Sequence, residues 1–190
     1  MANSRMGAKT RSRAFDRAEG DRGAALVEFA LLLPLLVAIL LGIFTGGQLY
    51  NQKLAITNGV REGSRYGATL AVAASSCTSG SGTIACWLAN VADVAQSGSE
   101  NELAATATNM QLCVAYVYPS GTTASDRTTK LVRTSGGDSI TTGSTCFSDG
   151  RANTERRVQV EGSHEGSLEY LVATAKPTLT SRSVTRFEAG

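Results

Sequence analysis

Apolar positions follow three different patterns along the chain. Residues 24–44 read AALVEFALLLPLLVAILLGIF, apolar on every helical face, and Glu28 is the one charge among them. A helix of about 20 apolar residues spans the roughly 30 Å hydrocarbon core of a bilayer, so this run predicts a transmembrane anchor. A core helix of a small soluble domain would keep one polar face. Further on, Leu49, Ile56, Val60, Gly63, Gly67 and Leu70 recur at helical spacing, which predicts that the helix continues to about residue 72 with a single packing stripe. Gly63 and Gly67 on that stripe permit the close approach of another backbone, from the chain's own domain or from a neighbouring subunit. Pro34, Gly42, Gly46 and Gly47 are candidate kink positions.

Past residue 72 the elements shorten. Residues 75–83 are a Ser/Gly-rich loop, and 84–96 predict a short helix with Ile84, Leu88, Val91 and Val94/Ala95 on one side. Trp87 in it reads as a packing residue. Residues 110–118 (MQLCVAYVY) have the β-branched and aromatic content of a strand. Residues 120–150 are rich in turn formers, with a short strand expected at 129–134. Residues 156–163 alternate and predict a strand, 168–172 are ambiguous, and 179–188 predict a last strand. A long helix followed by strands implies an α+β fold, with an antiparallel sheet packed on the continuation of the anchor helix. The expected organisation is a basic leader at 1–23, a transmembrane helix at 24–47 and an extracytoplasmic domain at 48–190. That domain divides into a helix at 48–72, a disulfide-containing region at 73–155 and C-terminal strands at 156–190.

Charge orients this arrangement. The whole chain carries a net +2, yet residues 1–23 hold six basic and three acidic side chains, a local +3 that leaves −1 for the remainder. Basic residues flanking a span favour the cytoplasmic side, so the N-terminus is expected inside and residues beyond about 48 outside. A cleaved secretory signal fits poorly. The apolar run is too long, its charge lies inside, and Thr45-Gly46-Gly47 is a weak cleavage site. No basic excess suggests nucleic-acid binding.

All four cysteines, Cys77, Cys86, Cys113 and Cys146, fall on the expected outer side. An even count in an oxidising compartment predicts two disulfides. Of the three possible pairings, proximity in sequence favours Cys77–Cys86 with Cys113–Cys146. No C-x-x-C is present, which argues against a zinc ribbon or a thioredoxin-like site.

Catalytic constellations are missing from the sequence. The single histidine, His164, is followed by Glu165-Gly166-Ser167-Leu168, which gives no H-E-x-x-H. No G-x-S-x-G follows a strand, and no phosphate-binding loop occurs. Asp126, Asp138 and Asp149 match no EF-hand spacing and read as turn residues. The expectation is a non-enzymatic chain without cofactor or metal.

Glu28 needs its own account, because a carboxylate inside an apolar helix costs roughly 2.5–3.5 kcal/mol near the bilayer centre on insertion scales. It lies five positions after Gly23, in Gly23-Ala24-Ala25-Leu26-Val27-Glu28-Phe29. This resembles the processing site of type IV pilins and their relatives, where a prepilin peptidase cuts after the glycine and a glutamate stands fifth in the mature chain. The run Val27-Glu28-Phe29-Ala30-Leu31-Leu32-Leu33-Pro34 is similar to the V-E-F-A-L-x-L-P opening of TadE-like pseudopilins. Arg61-Glu62-Gly63-Ser64-Arg65-Tyr66-Gly67-Ala68 resembles their R-E-G-A-R-Y-A stretch, with Ser64 and Gly67 as departures. Residues 179–188 resemble the family's last strand, whereas 71–155 match nothing in it.

The resemblance implies a minor pilin or pseudopilin of a Flp/Tad pilus, held in the bacterial inner membrane and either joining the filament or priming its assembly for adhesion. Implied partners are the prepilin peptidase, other pilins and pseudopilins, the inner-membrane assembly platform and membrane lipid. Implied site residues are Gly23, Ala24, Glu28 and Phe29 for processing, and Glu28, Pro34, Arg61, Glu62, Gly63, Arg65 and Tyr66 for assembly. Arg61 and Arg65, one helical turn apart, could grip carboxylates or lipid phosphates or form a solvated face. The alternative reading is a single-pass envelope protein whose ectodomain binds another protein or a surface polymer.

Overall fold

A computed structural model of the chain describes residues 12–72, 83–118, 128–151, 155–169 and 174–187, with only the backbone of 12–22, of Thr83 and of Glu169. The chain divides into two units, Met1–Phe44 and Thr45–Gly190. Helix α1 covers Ser12–Thr69 and runs unbroken through Pro34. In the first unit it is the only described element.

The second unit is α+β. It combines the last turns of α1 with α2 (Thr83–Ser97), β1 (Gln111–Val117), β2 (Thr128–Thr134), β3 (Gly137–Thr142), β4 (Arg157–Glu165) and β7 (Thr178–Arg186). These strands form one antiparallel sheet in the order β3-β2-β1-β4-β7. A separate two-stranded ribbon pairs β5 (Leu168–Glu169) with β6 (Thr174–Ala175).

One face of the sheet packs on the helices. Leu112, Val114 and Tyr116 of β1, Leu131 of β2, and Val158 and Val160 of β4 meet Ile56 and Val60 of α1 and Trp87, Leu88, Val91 and Ala95 of α2. Each large side chain removed from water here contributes roughly 1.5–3 kcal/mol. Trp87 is fully buried, and its indole N–H donates to the Leu70 carbonyl at 3.1 Å, satisfying an acceptor just past the end of α1. Tyr116, Tyr118 and Phe187 cluster about it, and burial pushes the Tyr116 phenol above its ordinary pKa.

The helical stripe read from the sequence packs on the chain's own domain. Ile56, Val60, Gly63 and Gly67 are buried, and α2 comes so close that a Cβ on Gly63 would lie 2.7 Å from the Ala95 Cβ. At Gly59 the same atom would lie 2.4 Å from the Ala95 carbonyl oxygen. Overfilling such a contact costs about 1–3 kcal/mol. Gly63→Val should therefore destabilise the domain by at least that much, read from the shift of the Trp87 fluorescence unfolding curve. Gly47→Ala, with nothing within 4 Å of its Cβ, should be neutral or slightly stabilising.

On the other side of α1 the contact with edge strand β7 is polar. Ser181 Oγ donates to Thr57 Oγ1 at 3.2 Å, Thr185 Oγ1 donates to Ser64 Oγ at 3.0 Å, and Ser64 and Ser183 hydroxyls share a 2.7 Å bond. Small hydroxyls let the strand lie against the helix without leaving buried polar atoms unpaired.

The far face of the sheet is also covered, which explains why β1 is buried at every position after Gln111. The segment 143–151 crosses it and is tied down by the Cys113–Cys146 disulfide, one of the two pairings expected. Closing that loop contributes about 3–4 kcal/mol in the chain-entropy account. Cys86 is likewise disulfide-bonded; Cys77, its expected partner, lies outside the described residues.

One strand differs from the sequence reading: β3 occupies residues that read as turn. The ambiguous 168–172 segment supplies the two-residue β5 among its described positions. The helices and the other long strands lie where the apolar pattern placed them.

Candidate anchor and assembly face

Gly23, Ala24, Glu28, Phe29 and Pro34 all lie on α1 and are exposed. The Gly23–Ala24 bond sits inside continuous helix, and nothing approaches within 4 Å of a Cβ built on Gly23. From Gly23 on, the helix is long and apolar enough to cross a membrane, with a mean hydropathy of 2.7 in its most apolar window, none of it buried. Phe29, Leu31, Leu36, Ile43 and Phe44 are each more than half exposed. An uncovered apolar surface of this extent marks contact with lipid or protein. Glu28 is the single acid on that surface.

The stretch 61–66 is split between two faces. Gly63 and Ser64 are buried, Gly63 against Ala95 and Val91 and Ser64 against Ser183 and Thr185. Arg61, Glu62, Arg65 and Tyr66 are exposed and line an open depression of about 460 Å³ together with Asn58, Thr69 and Val94. Among the described residues the side chains of Arg61, Glu62, Arg65 and Tyr66 make no ion pair or hydrogen bond, in contrast to the arginines of the sheet. The glycine and serine of this stretch therefore serve packing, and its charged residues are left facing outward.

Two of the three acids considered for cation binding, Asp138 and Asp149, are engaged by arginines. Asp138 makes a two-point contact with Arg133, whose Nε and Nη2 donate at 2.8 and 2.9 Å, and Asp93 accepts from Arg133 Nη1 at 2.6 Å. Burial works against the Arg133 charge, but the bonds to Asp138 and Asp93 outweigh it and raise the pKa further. Asp149 accepts from Gln159 Nε2 at 2.9 Å, and its Oδ2 lies 2.7 Å from Arg157 Nε. Burial alone would raise the Asp149 pKa; the bonds from Gln159 and the Arg151 backbone, with the Arg157 charge, hold it below the usual carboxylate value. Asp126 lies outside the described residues. Among the described residues no group of three or more His, Cys, Asp and Glu could hold a metal ion.

His164 is buried at the end of β4, its Nε2 3.1 Å from Glu102 Oε2 but out of line for a hydrogen bond. The neighbouring Glu165 accepts from Asn109 and lies 3.5 Å from Lys176 Nζ. These contacts tie the 98–110 turn to the sheet.

The sequence reading missed the buried Asp149–Arg157–Gln159 cluster. Its one visible trace was the polar half of the 156–163 alternation, which reads as a solvent face until segment 143–151 covers it.

Residues 23–65 match the family model for TadE-like protein. The match begins at the glycine before the anchor and ends at Arg65, so it takes in Glu28, Pro34 and the outward-facing Arg61, Glu62 and Arg65. No curated protein and no solved structure matches the chain.

Proposed function

From the TadE-like segment carried across the apolar helix, we propose that this chain is a Tad pilus-related protein acting as a membrane-anchored pseudopilin or minor pilin, without enzymatic activity of its own. The observation that carries the reading is Glu28, one acid on an otherwise apolar surface, five residues after Gly23 and within the matched stretch. A prepilin peptidase cutting after Gly23 leaves a positive α-amino group on Ala24. In a bundle of such helices Glu28 of one subunit pairs with that amine on its neighbour. The pairing offsets the desolvation of both charges and fixes the axial stagger. The leader faces the cytoplasm, the α+β domain lies outside, and the filament partners are other pilins and the inner-membrane platform.

Intact-mass and N-terminal analysis of the protein from a host with an active prepilin peptidase tests this directly. The expected mature chain starts at Ala24. A mature chain that keeps its leader, or that starts near residue 48, would overturn the processing step.

A further inference from the structure

The sheet has two edges, and they are built differently. β7 carries Arg182 and Arg186, each paired to an acid of the β4 side, and its hydroxyls are bonded to α1. β3 (GDSITT) has no lysine, arginine or proline, its register with β2 is continuous, and all six residues are exposed. Exposed edges of soluble sheets are normally blunted by charge, proline or a bulge. The one charge on β3, Asp138, is neutralised by Arg133. Ile140, 45% exposed, is the one exposed large apolar side chain on the described strands.

The ladder shows which groups of β3 are free. Gly143 N–H donates to the Thr128 carbonyl at 2.9 Å. The β2–β3 register pairs Lys130 with Thr141 and Val132 with Ser139. Because hydrogen-bonded pairs alternate along an antiparallel ladder, the backbone groups of Gly137, Ser139 and Thr141 point towards β2. Those of Asp138, Ile140 and Thr142 point away from the sheet, and among the described residues nothing pairs with them.

These three outward positions are symmetric about Ile140. We infer that β3 is a docking edge for a second copy of this chain, pairing antiparallel with its own counterpart. Ile140 then faces Ile140, and Asp138 faces Thr142 on each side of the two-fold. About six main-chain hydrogen bonds form across such a pair. No like charges oppose each other, the two exposed isoleucines cover one another, and the two sheets become one continuous sheet. Shifting the register by one residue would set outward groups against inward ones and make no ladder. The symmetry of the free groups and the self-complementary side chains favour a second copy over an unrelated extended segment. This pairing does not depend on leader cleavage or on Glu28.

Cysteine cross-linking of the full chain in detergent and in membranes tests it. Ile140→Cys should give a disulfide-linked dimer under mild oxidation, since facing residues of a hydrogen-bonded pair lie about 5.5 Å apart at Cα, within disulfide reach. Asn58→Cys, exposed on α1, should stay at background. Thr142→Pro removes an outward N–H that β2 does not use. Added to Ile140→Cys it should suppress the dimer at least tenfold while the Trp87 unfolding curve stays in place. Monomer throughout, equal cross-linking at positions 58 and 140, a dimer indifferent to Thr142→Pro, or linkage of the Ile140→Cys variant to a different protein would each overturn the inference.

Discussion

Glu28→Ala should insert, be cleaved after Gly23, and yet be missing from the assembled filament. The two effects have opposite signs, and this sets a role in register apart from a merely structural one. Removing an unpaired acid from an apolar helix relieves about 2.5–3.5 kcal/mol near the bilayer centre, and less towards its edge, so the isolated variant sits in the membrane at least as stably as the parent chain. What it loses is the partner for the Ala24 amine of a neighbour, which then remains a buried charge without compensation. Glu28→Gln should behave like the alanine variant, because it keeps the shape and loses the charge. The measurement is the ratio of variant in sheared filaments to variant in the membrane fraction, with the N-terminus determined in both. Parent-like recovery of Glu28→Ala in filaments would sink the register argument, leaving the acid as a surface group of the anchor.

Asp149→Ala is expected to cost about 3–5 kcal/mol, the usual penalty for stripping one partner from a buried ion pair. The Arg157 side chain is 2% exposed and that of Asp149 8%, so little water reaches the pair to replace the lost carboxylate, and Gln159 loses its acceptor at the same time. Asp149→Leu combined with Arg157→Met should recover much of the loss. It removes both charges, though it still leaves the Gln159 amide short of a partner. The same pair predicts a pH dependence. The folded-state pKa of Asp149 is depressed, so its contribution is fully present above the ordinary carboxylate range near pH 3.9 and is lost as the pH falls through the lower folded value. The parent chain should lose stability over that acid window, and Asp149→Ala should lose less. Trp87, the only tryptophan and fully buried, reports both experiments through denaturant unfolding of the full chain in detergent. A shift below about 1 kcal/mol for Asp149→Ala would mean that the pair is solvated in solution.

The elements legible in the sequence are those with enough buried apolar surface to leave a pattern, whether one face is covered, as in α2, or both, as in β1. α2 shows its stripe because only one side meets the sheet, and β1 reads as a strand because Leu112, Val114 and Tyr116 alternate with Cys113, Ala115 and Val117, all of which are apolar and buried. β3 was hidden for the opposite reason. It buries nothing, so G-D-S-I-T-T carries no apolar pattern, and its conformation comes from the ladder offered by β2 across the short Ser135-Gly136 connection, with Gly137 at φ +121°. The far-face cover was hidden because its determinants are spread out. Cys113 lies on one strand and Cys146 in a loop, while Asp149 looks like an ordinary turn former until Arg157 is found beneath it. At the candidate site, composition and spacing identified Glu28 and the 61–66 stretch. They did not separate the glycine and serine that pack from the arginines that face outward, because that division depends on where α2 and β7 lie.

The hydroxyl contacts between α1 and β7 set an order of events in biogenesis. Ser181, Ser183 and Thr185 belong to β7, the last of the described strands, and their partners Thr57 and Ser64 lie 119–124 residues earlier. Until β7 has left the ribosome, β4 has an open edge and one flank of the helix is bare, so the domain cannot close before that strand is made. On the membrane-anchored reading proposed above, this leaves a long interval in which a tethered, half-built sheet must be kept from joining its neighbours.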